Sequence, residues 1–177
     1  MAYHDVVMAG FGGQGLMAIG KLLAKAAMDE GRHVTWLPSY GPEMRGGTAN
    51  CVVVVDDEPI GSPSVEHAQA AIVMNRPSLD KFEDTLATGG LLVINTSLIA
   101  EPVHRADLTT VLVPANDIAE AEGSPKAANM VMLGAYVAHC GVVSAASIER
   151  AIEVSYVGAK KAYGEANLRA FRRGLAS

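Results

Sequence analysis

The feature that most constrains this chain is Gly10-Phe11-Gly12-Gly13-Gln14-Gly15, which directly follows the apolar run Val6-Val7-Met8-Ala9. A glycine turn that leaves a strand and opens a helix lets backbone N–H groups approach an anion closely. The helix N-terminus adds partial positive charge at the same spot. The spacing is that of a dinucleotide-binding turn. Such a site also needs an acidic residue about 20 positions further on, at the tip of the second strand, to hold a ribose hydroxyl. Here the second strand, His33-Val34-Thr35-Trp36-Leu37, runs into Pro38-Ser39-Tyr40-Gly41-Pro42 without an Asp or Glu at its tip. The phosphate half of the signature is present and the ribose half is missing, so an ordinary NAD dehydrogenase fits poorly.

Around that turn, strands alternate with helices along the chain. Strands are expected at His4–Ala9, Val34–Leu37, Ala49–Val55, Ala70–Met74, Leu91–Asn95 and Thr110–Val113, with Ile60 opening a short return strand. The unbroken Val52-Val53-Val54-Val55 points to a central strand buried on both faces. Helices are expected from about Gly13 to Glu30, with Gly31 as a left-handed C-terminal residue, and from Ser78 to the Gly89-Gly90 stop. A third opens at Ser124-Pro125 and runs to Cys140, and two more cover Ala145–Val154 and Gly158–Arg172. The pattern predicts one α/β domain over residues 1–177: a doubly wound, mostly parallel, Rossmann-like sheet with a helical C-terminal third.

With 177 residues, half of them apolar, the chain is long enough to bury a sizeable core. Its net charge of −5 argues against a nucleic-acid partner held by phosphate neutralisation. No run has membrane-spanning length and no signal-like start is visible, which predicts a cytoplasmic protein without a membrane partner. Cys51 and Cys140 lie far apart and form no metal-ligand pair, so both are expected to be reduced core residues and no metal site is expected.

Ligands of open α/β sheets lie beyond the carboxyl ends of the strands, where the strand order reverses. The loops Gly10–Gly15 and Ser39–Thr48 both follow strand ends and are expected at one edge, together with Asn95-Thr96-Ser97. Gly10, Gly12, Gly13, Gln14 and Gly15 are candidate anion or cofactor contacts; a tight crossover with nothing bound would use the same glycines. In the second loop, Ser39, Tyr40, Arg45 and Thr48 are candidates. Arg45 suits a phosphate or carboxylate, or an internal pair with Glu43, and Thr48 suits a strand end as well. The segment Ala127–Ala138 is apolar almost all round, which predicts partial burial under another chain. Its polar exceptions are Asn129 and His139, and His139 is read as structural. Arg169, Arg172 and Arg173 are read as a solvated face. No acid–base constellation, nucleophile elbow or Walker loop stands out, so no catalytic residue is assigned.

Gly10–Gly15 together with Leu37–Cys51 closely resembles the gamma subunit of 2-oxoacid:ferredoxin oxidoreductases, the family of the pyruvate, 2-oxoglutarate, 2-oxoisovalerate and indolepyruvate enzymes. The likeness extends to Gly61-Ser62-Pro63 and Asn129–Gly134, and the wording of Pro38–Cys51 leans to the 2-oxoglutarate branch. The resemblance implies a complex that decarboxylates a 2-oxoacid, passes electrons to ferredoxin and transfers the acyl group to coenzyme A. Thiamine diphosphate with Mg, and the iron–sulfur clusters, would belong to the alpha, beta and delta subunits, with no cofactor resident in this chain. Isolated, the chain could pair with a second copy. Two other readings stay open: a stand-alone oxidoreductase with Arg45 on the 2′-phosphate of NADP, and a purely structural assembly subunit.

Overall fold

The structure is a computed structural model that describes residues 3–39 and 48–177. Six strands form one sheet: β1 (His4–Phe11), β2 (His33–Ser39), β3 (Thr48–Asp56), β4 (Ala68–Val73), β5 (Leu86–Asn95) and β6 (Thr109–Val113). Their spatial order is β2-β3-β1-β4-β5-β6. β4 runs parallel to β1, β5 to β4, and β6 to β5, whereas β3 is antiparallel to both of its neighbours. Five strands therefore point the same way, and the mostly parallel expectation holds. β3 is interior to the sheet, and Val53, Val54 and Val55 are buried, as the unbroken valine run implies.

The helices are α1 (Leu16–Asp29), α2 (Arg76–Phe82), α3 (Ala115–Ala121), α4 (Ala128–Cys140), α5 (Ala145–Ser155) and α6 (Lys161–Leu175). Alternating side chains along β1 divide the core. Val6 and Met8 face a large cluster with α1 and α3 to α6, while Val7 and Ala9 face a smaller cluster with Leu79 of α2. The sheet is thus covered on both faces, heavily on one and by a single short helix on the other. Gly31, at φ 80°, ends α1 as expected, with Gly31 N–H donating to Met28 and Arg32 N–H donating to Ala27.

Four expectations are corrected. Ile60 opens no strand. The helix expected from Ser78 to Gly89 ends at Phe82, passes through the 3-10 turn Glu83–Thr85, and gives way to β5 at Leu86. There the buried Glu83 carboxylate accepts N–H groups of His104 and Arg105. The Arg105 guanidinium in turn donates to the Glu83 and Leu86 carbonyls, at 3.1 and 2.7 Å. That clamp releases the chain into the sheet, and Gly89-Gly90 forms a bulge against β4 instead of a helix stop. Third, α3 forms over residues for which no helix was expected. Fourth, α4 needs no other chain to cover it: residues 128–137 are all buried within this one. The cover is α6, at backbone distance, because a Cβ on Gly134 would strike the Phe171 carbonyl and one on Gly174 the Val131 carbonyl. Pro125–Ala127 forms a 3-10 turn ahead of α4, without a cap from the Ser124 side chain.

Candidate anion site at the switch point

The sheet register decides which loops meet. Phe11 pairs with Thr48 and Ser39 with Asn50, so the ends of β1 and β2 and the start of β3 share one edge. Parallel pairing of Ala9 with Val73 and of Val73 with Ile94 places the ends of β4 and β5 there too. The loops Gly10–Gly15 and 95–97 and the described ends of the second loop, Ser39 and Thr48, therefore share that edge as expected. From β1 the chain crosses with α1 on one face, and from β4 it crosses with α2 on the other. The crevice between β1 and β4 is therefore the switch point, and Gly10–Gly15 lies at its mouth. Of the second loop, Ser39 is exposed at the tip of β2 and Thr48 is half-buried at the start of β3. Tyr40 and Arg45 lie outside the described residues.

Within the turn, Gly12 and Gly13 are exposed, while Gly10 is buried against Met74. Gln14 is spent internally in part: its Oε1 accepts the Phe11 N–H at 2.6 Å, and its own N–H donates to the Phe11 carbonyl at 3.2 Å. It shapes the turn and offers less to a ligand than its position suggested. Gly15 precedes α1 at φ 76°, with no side-chain cap and no acidic residue in the first helical turn. The first N–H groups of α1 accordingly have no intrahelical acceptor and carry the positive end of the macrodipole.

Asn129 completes this arrangement, and sequence reasoning had noted it only as a polar exception. From the first turn of α4 its Nδ2 donates to the Gly15 carbonyl at 3.1 Å, and its Oδ1 accepts the Met130 N–H at 3.0 Å. The contact brings the N-terminus of α4 beside that of α1. α4 likewise lacks a side-chain cap and a first-turn acid. The uncapped N-terminus of α1 thus meets the start of α4, which continues from the 3-10 turn Pro125–Ala127 and has its Met130 N–H taken by Asn129. Across the crevice, Asn75 at the end of β4 is buried; its Oδ1 accepts the Ser78 N–H at 2.9 Å, while its Nδ2 has no partner. Asn95 is fully engaged: its amide donates to Met74 and Asn116 and accepts from Ser97 and Ala115. That part of the edge is scaffold.

The remaining candidates are structural. Burial pushes the Cys51 thiol up to about 12 and also raises that of half-buried Cys140, so neither is poised as a thiolate. An iron–sulfur cluster does not fit this chain, because its only two cysteines are held apart and protonated. His139 bonds its own helix through the Ala135 carbonyl at 2.8 Å. Arg172 forms a two-pronged pair with Glu149 at 2.8 Å, and Arg173 pairs with Glu122 at 3.1 Å. Among the described residues, no helix is long and apolar enough to cross a membrane.

Residues 5–177 match the family described as pyruvate ferredoxin/flavodoxin oxidoreductase. The chain belongs to that family. It is 40% identical over 171 residues to the ketoisovalerate oxidoreductase subunit VorA of Methanothermobacter thermautotrophicus; the match takes in 96% of this chain and 35% of that relative. The chain thus spans about a third of the length of that longer polypeptide. It is 35% identical to the 2-oxoglutarate synthase subunit KorC of Methanocaldococcus jannaschii, over 96% of this chain and 91% of the relative. Among solved structures, the keto/oxoacid ferredoxin oxidoreductase gamma subunit from Geobacter sulfurreducens superposes with a TM-score of 0.87 at 30% identity. That superposition covers 99% of this chain and 96% of that one. The six-stranded sheet and its helical C-terminal region are therefore the architecture of a gamma subunit.

Proposed function

We propose that this chain is the gamma part of a cytoplasmic 2-oxoacid:ferredoxin oxidoreductase, in which it finishes a binding pocket and leaves the reactive groups to neighbouring subunits. Relatives named for ketoisovalerate and for 2-oxoglutarate both align along nearly the whole chain. The reading therefore commits to the 2-oxoacid class, with 2-oxoglutarate as one member. Alpha, beta and delta partners, or fused equivalents, would carry thiamine diphosphate, Mg and the clusters, and would deliver electrons to ferredoxin.

The ligand proposed for the switch point is coenzyme A, the acceptor of the acyl group in such a complex. The observation that carries this reading is the α1 N-terminus at the switch point, with neither a capping side chain nor a first-turn acid, held beside the start of α4 by Asn129. Exposed backbone at Gly12 and Gly13 lets a diphosphate approach the free N–H groups of α1. The unpartnered Asn75 amide is a further donor at the crevice, and a buried donor left without an acceptor is uncommon. Ser39 and Thr48 flank the approach, and Tyr40 and Arg45 are further candidate contacts on sequence grounds.

Arg45→Ala in the reconstituted complex is expected to raise the KM for coenzyme A, while the KM for the 2-oxoacid stays in place. An unchanged coenzyme A requirement with a lower yield of assembled complex would overturn this reading in favour of a purely structural role.

A further inference from the structure

The structure separates the three arginines of α6. Arg172 and Arg173 are spent on Glu149 and Glu122, whereas Arg169 has no carboxylate within ion-pair distance among the described residues. Arg169 borders a groove of about 510 Å³ between α6 and the 3-10 turn Pro125–Ala127. The apolar lining includes Pro125 and Ala127 on the turn, and Tyr163 and Ala166 on the helix. Its only charged groups are Arg169 and, on the opposite wall, Lys126. Lys126 is likewise without a carboxylate partner among the described residues. In a chain with 14 basic and 19 acidic side chains, a groove bordered by cations alone departs from the rest of the composition. Tyr163 leaves 63% of its surface exposed, although α6 buries Ala170 and Phe171 elsewhere. Exposed tyrosine and arginine around one groove are the residue types enriched in protein interfaces. The two stand six residues apart on α6, about 9 Å along its axis. That is the span of about three residues of extended chain.

We propose that this groove seats a short acidic segment of a neighbouring subunit. One apolar side chain of that segment packs against Tyr163 and Pro125, and a carboxylate further along it lies between Lys126 and Arg169. The inference rests on the reading of this chain as the gamma part of a multi-subunit oxidoreductase. Charge complementarity selects the occupant, because two unpaired cations on facing walls attract an acidic segment and repel a basic one. Tyr163 lies in the first turn of α6, which has neither a side-chain cap nor an acidic residue. The partial positive charge of that helix end therefore adds to the charge of the two side chains. A second copy of this chain suits the groove less well, since a two-fold contact sets a patch against itself and would oppose like charges.

The test binds the full chain to the remaining purified subunits of the oxidoreductase and reads the dissociation constant by biolayer interferometry. Lys126→Glu/Arg169→Glu is expected to raise Kd by about tenfold, and Tyr163→Ala by about fivefold. The urea midpoint of each free variant should stay at the wild-type value, since all three side chains are exposed. Lys81→Glu, which reverses a charge elsewhere, should leave Kd unchanged. A second readout needs no variant: acetylation of the Lys126 amine should be slower in the assembled complex than in the free wild-type chain. If the double variant binds as wild type does, or Lys126 is acetylated equally fast in the complex, the groove proposal falls and the gamma reading stands. A double variant that alters only self-association of the chain, read by sedimentation, would seat a second copy in the groove and also overturn the proposal. A wild-type chain that binds none of the subunits would remove the gamma reading and this inference with it.

Discussion

At the residue scale, the site depends on one contact between distant parts of the chain. Asn129 Nδ2 donates to the Gly15 carbonyl, and a Cβ on Gly15 would strike that same amide. Asn129→Ala should cost about 1 kcal/mol, the typical net value of a hydrogen bond of this kind. Gly15→Ala should cost more, since it adds the clash to a left-handed φ of 76°. The double variant is expected to fall short of the sum by about 1 kcal/mol, because removing the amide removes the collision. Urea unfolding of the four proteins measures this directly. A second residue-scale prediction concerns His4, buried with its Nε2 2.7 Å from the Tyr136 hydroxyl. Burial lowers its pKa below 6.5, outweighing the opposite pull of Asp5. Above that value the ring is neutral in both folded and unfolded chains, and its contribution is fully present. As pH falls below it, the unfolded chain takes up a proton that the folded chain refuses, and stability drains away until the folded pKa is reached. His4→Gln should therefore lose less stability than wild type between about pH 7.5 and pH 5.5, read from urea midpoints.

At the element scale, the tightest joint is that between α4 and α6. Gly134 and Gly174 let each helix approach the other's carbonyls, and backbone cannot swing aside as a side chain can. Gly174→Ala should cost about 3 kcal/mol, the upper part of the range for overpacking; a shift of the urea midpoint as small as that of a surface substitution would contradict the joint. This joint also shows where sequence reading stopped. The glycine turn, the six strands and the shared edge were legible because period, glycine position and strand order are local or topological signals. The cover over α4 was not: an apolar helix reads alike whether its own chain or a partner buries it, and the deciding residues, Gly134 and Gly174, lie 40 positions apart. Likewise, Gly89-Gly90 reads as a helix stop until the Glu83–Arg105 clamp, which is long-range, turns it into a bulge. Asn129 was visible as a residue, but its acceptor was not, since nothing in the local pattern points from residue 129 back to residue 15.

At the scale of the whole molecule, the site and the C-terminal third are one mechanical unit. α4 carries Asn129 to the glycine turn at its first turn and is roofed by α6, with α5 packed beside α1. The helices after Gly141 therefore do more than add bulk: without them, the buried residues 128–137 of α4 lose their cover, and the edge loses the support behind Asn129. A chain ending at Gly141 would expose Val131, Leu133 and other fully buried side chains on the largest core cluster. Burial of each such side chain is worth roughly 1.5–3 kcal/mol, so exposing even several exceeds the net stability of an ordinary domain. That truncation should therefore give no cooperative urea transition and a weak near-ultraviolet circular dichroism signal, with much of the helical far-ultraviolet signal retained. A truncated chain that still unfolds cooperatively would mean that the sheet with α1 to α3 closes its own core, and that α5 and α6 serve only the edge they help to build.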